Sequence, residues 1–80
     1  MDDSDIIRRI GDLADEERRL EELHAGEGLS EDEHATLRRL EVTLDRLWDL
    51  LRQRRALRDT GKDPGLASER PGDTVERYLQ

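Results

Sequence analysis

Two stripes of apolar residues run along this chain at helical spacing. Ile6, Ile10, Leu13, Glu17, Leu20 and His24 follow one another at intervals of four, three, four, three and four. That is a heptad seam on one helix face, with Glu17 its single acidic member. Ile7, Ala14 and Leu23 widen it. The second seam, Leu37, Leu40, Leu44, Leu47 and Leu51, has the same spacing with no polar interruption. Neither segment contains proline or alternates with the period of a strand. The pattern predicts helices over about 4–24 and about 30–59.

The flanking residues set the limits. Ser4 is the expected N-cap of the first helix. Two glycines in Ala25-Gly26-Glu27-Gly28-Leu29 break it. Ser30 and Glu33 are spaced as a capping box at the start of the second helix. Glu31, Asp32 and Glu33 also suit the positive end of its dipole. Thr60-Gly61 can end it. A loop over 25–29 favours an antiparallel hairpin. Level pairing then sets Ile10 opposite Leu44 and Ile6 opposite Trp48, and the second helix overhangs the first by roughly two turns. The expectation is an all-α fold: a coiled-coil-like two-helix hairpin over 1–61 that dimerises into a four-helix bundle. Residues 62–80 form a tail. Asp63-Pro64-Gly65 and Arg70-Pro71-Gly72 read as turns. Residues 73–79 can form a short helix with Val75, Tyr78 and Leu79 on one face.

Charge changes this picture most. Of eighty residues 44 % are charged, and the net charge is −7. Residues 1–50 carry −9 and residues 51–80 carry +2. An acidic chain is a poor non-specific ligand for nucleic acid. There is no cysteine, and no apolar run approaches a membrane span. The opening MDDSDIIRRIG lacks the basic and apolar regions of a signal peptide. A cytoplasmic location is expected, with no membrane partner.

The stretch Trp48-Asp49-Leu50-Leu51-Arg52-Gln53-Arg54-Arg55-Ala56 stands out, because the chain's only tryptophan precedes a basic cluster. Trp48 falls beside the leucine seam, on a second stripe of Glu41, Asp45, Trp48, Arg52 and Arg55. Three readings are open. In the first, Arg52, Arg54, Arg55 and Arg58 lie near Asp2, Asp3 and Asp5, and Trp48 caps the core over Ile6 and Ile7, covered by Tyr78 and Leu79. In the second, the Trp48 stripe is an interface, since tryptophan and arginine are enriched at binding hot spots. Glu41 and Asp45 would then pair with Arg52 and Arg55 of an antiparallel copy, and a homodimer is the leading assembly, ahead of a different protein partner. In the third, Arg52, Arg54, Arg55 and Arg58 bind an anionic ligand such as a nucleotide, a cyclic dinucleotide or RNA. With so few aromatics to stack bases, the third reading has the least support.

Catalytic chemistry is hard to place. Glu-x-x-His occurs at Glu21–His24 and Glu31–His34, a spacing that di-iron bundles use. Both copies fall at the hairpin tip, away from a dry core. Glu31 and Glu33 already serve the helix start, and Glu17 can pair with Arg38 or specify register. Ser4, Ser30 and Ser68 lack an arranged base. Gly26 and Gly28 sit in an acidic turn that repels phosphate. Neither enzyme activity nor a cofactor or metal site is expected.

The chain resembles the actinobacterial small-protein family catalogued as domain of unknown function 2630. The likeness runs from Asp5-Ile6-Ile7-Arg8-Arg9-Ile10 through Ala25-Gly26-Glu27-Gly28-Leu29-Ser30. It is densest from Trp48 to Ala56 and ends at Val75-Glu76-Arg77-Tyr78-Leu79. The resemblance implies a bacterial cytosolic protein with no assigned activity and transfers no functional residues. The residues themselves favour a non-enzymatic interaction module, an adaptor or regulator, over a binder of anionic ligands.

Overall fold

The structure, a computed structural model, describes residues 1–23 and 28–69. Two helices, α1 (Asp3–Leu23) and α2 (Glu31–Asp59), are followed by a short 3-10 turn at Pro64–Leu66. α1 packs against α2, and the 3-10 turn packs back on α2. The described residues are thus all-helical apart from turns and contain no strand.

α1 starts two residues earlier than an N-cap at Ser4 would set it. The Asp5 N–H donates to Asp2 Oδ1 at 2.8 Å, and the Asp2 N–H donates to Asp5 Oδ2 at 3.3 Å. Two aspartates therefore form the reciprocal cap that Ser4 was expected to begin, and Ser4 lies inside the helix. This start places Asp3 in the first turn, where it meets α2. The Ser30 cap forms in both halves: the Glu33 N–H donates to Ser30 Oγ at 3.2 Å, and the Ser30 N–H donates to Glu33 Oε1 at 2.9 Å. Thr60 closes α2, and Gly61 follows at φ +76°, a left-handed conformation that favours glycine.

The two seams meet, but unevenly. Ile6, Ile10 and Leu13 of α1 are buried against Leu44, Leu47, Leu50 and Leu51 of α2. Nearer the tip, Glu17, Leu20, Leu37 and Leu40 are only half-buried. The core therefore fills the end where α1 begins and α2 finishes. Leu50 joins it from a flank outside the Leu44–Leu47–Leu51 seam. The reason is the returning chain after α2, whose Ala67 packs against the same core.

Polar bonds stitch that return in place. Gln53 Nε2 donates to Asp49 Oδ2 at 2.9 Å and to the Ser68 carbonyl at 2.7 Å. Asp49 is the one buried charged residue among those described, at 7 % exposure. Asp63 caps the 3-10 turn by accepting from the Gly65 N–H at 2.9 Å. The turn at Asp63-Pro64-Gly65 is thus realised. The second turn at Arg70-Pro71-Gly72 and the helix over 73–79 lie outside the described residues, as does His24.

Candidate interaction surface

The arginines after Trp48 divide into two sets. Helical periodicity puts Arg54 and Arg58 on the seam, facing α1, and Arg52 and Arg55 on the flank with Trp48. Arg54 Nε donates to Asp3 Oδ1 at 2.6 Å, and Arg58 Nη2 donates to Asp3 Oδ2 at 2.7 Å. Arg54 also reaches the Pro64 carbonyl at 3.3 Å. One carboxylate therefore holds two guanidinium groups and ties three segments together. The hydrogen bonds from Arg54 and then Arg58 hold the Asp3 carboxyl below its ordinary value of 3.8, against a smaller opposing effect of burial. Both helix dipoles favour the arrangement, an acid at an N-terminus and bases at a C-terminus.

Trp48 is not sealed by this packing. It remains 44 % exposed, and Ile7 is 53 % exposed. The first reading of the stretch therefore holds for Arg54 and Arg58 on Asp3. Trp48 itself stays partly open, while Ile6 beneath is wholly buried in the core cluster with Leu44, Leu47, Leu50 and Leu51. The proposed cover, Tyr78 and Leu79, lies outside the described residues.

The flank around Trp48 has two ends of opposite sign. Glu41, Asp45, Trp48, Arg52 and Arg55 follow at intervals of four, three, four and three. α1 contributes to the acidic end. The Glu17 carboxyl is raised above its ordinary 4.5, first by burial and then by the negative charges of Glu21, Glu41 and Asp45. Those four acids therefore share one side of the hairpin. By helical periodicity Ile7, Gly11 and Ala14 lie on the same flank of α1 as Glu21. Nothing stands within 4 Å of a Cβ built on Gly11. The surface is thus uncovered at Gly11, apolar at Ile7 and Trp48, acidic toward the tip and basic at Arg52 and Arg55. Glu17 forms no ion pair with Arg38, which lies on a different face of α2 beside Arg39, Val42 and Arg46.

The α2 stripe is visible in the sequence, whereas the share of α1 in the same flank is not. The exposed position of Ile7 could have been found by tracing the flank that shares a side with Glu17. Among the described residues no three histidine, aspartate or glutamate side chains gather to hold a metal ion. No described helix is long and apolar enough to cross a membrane.

A family model described as "Protein of unknown function (DUF2630)" matches residues 2–80. The chain belongs to this family. Uncharacterized proteins of Mycobacterium tuberculosis and Mycobacterium bovis are each 52 % identical to it over 77 residues, covering 95 % of this chain and 88 % of each relative. No solved structure matches significantly.

Proposed function

We propose that the protein is a non-enzymatic helical interaction module that works as a homodimer, an adaptor or regulator whose contact surface is the Trp48 flank. The carrying observation is the exposed Trp48 at the centre of a stripe whose charges reverse about it. Glu41 and Arg55 each lie seven residues from Trp48, and Asp45 and Arg52 lie three and four residues away. A two-fold axis through Trp48 would set Glu41 and Asp45 of one copy beside Arg55 and Arg52 of an antiparallel copy. Trp48 and Ile7 would be buried at the centre, as in hot spots generally. The result is a four-helix bundle of the kind such hairpins commonly build.

Sedimentation equilibrium of the wild type and of Trp48→Ala tests this. A dimer that the substitution converts to monomer supports it. A wild-type monomer, or a dimer indifferent to the substitution, overturns it.

The anionic-ligand reading has less support. Two of its four arginines are engaged by Asp3, and Arg52 and Arg55 share their flank with four acids. It predicts binding of nucleotide or RNA that weakens steeply with salt. Calorimetric titration without heat would remove it.

A further inference from the structure

The side of α2 turned away from the Trp48 flank carries a stripe of its own. Ala35, Arg39, Val42, Arg46, Asp49 and Gln53 follow at intervals of four, three, four, three and four. Among the described residues, the chain returning after α2 covers only one end of it. There Gln53 bonds to Asp49 and to the Ser68 carbonyl, and Asp49 is buried. Toward the tip the stripe opens into a shallow groove, where Arg38 and Thr43 join Ala35, Arg39, Val42 and Arg46. Ala35 and Arg39 are exposed there, and Val42 is half-buried.

This groove is basic in an acidic molecule. Three arginines rim the apolar strip of Ala35 and Val42, in a chain of net charge −7. None of the three joins an ion pair among the described residues, whose pairs are Arg18 on Asp15 and Arg54 and Arg58 on Asp3. Over the same turns the Trp48 side holds Glu17, Glu21, Glu41 and Asp45. The tip half of the hairpin is thus acidic on one side and basic on the other. Arg46 Nε is buried yet has no hydrogen-bond partner, the one such side-chain atom among the described residues. A buried guanidinium N–H without an acceptor is costly, and a carboxylate is its natural complement.

Shape and charge together select the occupant. The stripe has the heptad spacing that packs against another helix. From Ala35 to Arg46 it spans about 16 Å, or about three helical turns. The described lining has no aromatic side chain to stack a base, and the acids across α2 repel phosphate. A second copy could offer its own acidic side only head to tail, a contact that leaves open ends unless a ring closes.

We propose that this groove docks an acidic amphipathic helix of a different protein. The apolar stripe of that helix covers Ala35 and Val42, and its carboxylates accept from Arg39 and Arg46. The Trp48 flank lies on the other side of α2 and stays free, so the inference does not rest on the dimer.

The probe is a helical peptide with leucines at heptad spacing and glutamates beside them, titrated into the isotope-labelled full chain. A second peptide carries lysine for each glutamate. The glutamate peptide should shift the amide signals of residues 35–46 and spare those of Ile7 and Trp48. The lysine peptide should leave the groove unchanged. Arg46→Lys keeps the charge and loses the Nε donor, and it should weaken the glutamate peptide about tenfold. Arg39→Glu with Arg46→Glu should exchange the preference, so that the lysine peptide binds instead. Four results would overturn the proposal. They are groove signals indifferent to the glutamate peptide, an equal response to both peptides, shifts centred on Trp48, or groove signals that move with the chain's own concentration before peptide is added. The last would assign the groove to a second copy.

Discussion

The two ends of the hairpin are built to different standards. At the base, Ile6 and Leu51 are almost wholly buried. There one carboxylate binds two arginines, and the return after α2 covers a third side. At the tip, Leu20, Leu37 and Leu40 are half-buried. There Glu17 occupies a seam position among Glu21, Glu41 and Asp45. The local helix chemistry points the same way. α2 ends with Arg58 favouring its dipole, whereas the last turn of α1 contains no base and carries Glu21 and Glu22. The lesson is that a continuous heptad pattern does not imply continuous stability. Stability follows the side chains that a third segment covers.

The largest test of this contrast is core truncation. Leu51→Ala should cost about 3 kcal/mol in urea unfolding, because a fully buried leucine leaves a cavity. Leu20→Ala, from a half-buried site, should cost about 1 kcal/mol. Equal losses at the two positions would break the contrast.

Repair of the tip comes next. Glu17→Leu should add about 1 kcal/mol at neutral pH by completing the seam and removing a crowded charge. A destabilised variant would mean that Glu17 makes a favourable contact in solution. Ser30→Ala should remove about 1 kcal/mol through the lost cap, read by the same unfolding curves.

The smallest effects are the most discriminating, because the two ends titrate in opposite directions. Asp3 has a lowered carboxyl, so its contribution is complete above 3.8 and is lost as pH falls through its folded value. Glu17 has a raised carboxyl, so its contribution is complete below 4.5 and is lost as pH rises through its folded value. Acidification should therefore loosen the base and tighten the tip. Amide exchange at the two ends of α1, followed across that range, should show crossing trends. Asp3→Asn should flatten the first and Glu17→Gln the second.

Much of this was legible from residue order. Both seams, the Ser30–Glu33 cap, the end at Thr60-Gly61 and the turn at Asp63-Pro64-Gly65 are local, and the residues that encode them are neighbours. The start of α1 was not. Asp2, Asp3, Ser4 and Asp5 can all cap a helix, and the choice of Asp2 follows from the partnership of Asp3 with residues fifty positions away. The burial of Asp49 and Leu50 was missed for a related reason. A two-helix reading gives each helix one buried face, and a third segment was needed to cover the other. The division of the arginines was half legible. Periodicity separates Arg54 and Arg58 from Arg52 and Arg55, and the hairpin contact then decides which pair is occupied. The α1 share of the Trp48 flank needed the pairing of the two helices to be known, because Ile7 and Glu17 have no sequence proximity to Trp48.

The most direct test of the functional account is a charge-exchange mixing experiment on the Trp48 flank. Glu41→Arg with Asp45→Arg makes one chain whose stripe is all basic. Arg52→Glu with Arg55→Glu makes another whose stripe is all acidic. Neither set touches the core or the Asp3 clamp. The account predicts that each variant alone sediments as a monomer and that an equal mixture forms a heterodimer. A variant that still self-associates as the wild type does, or a mixture that stays monomeric, would contradict an antiparallel pairing through Trp48.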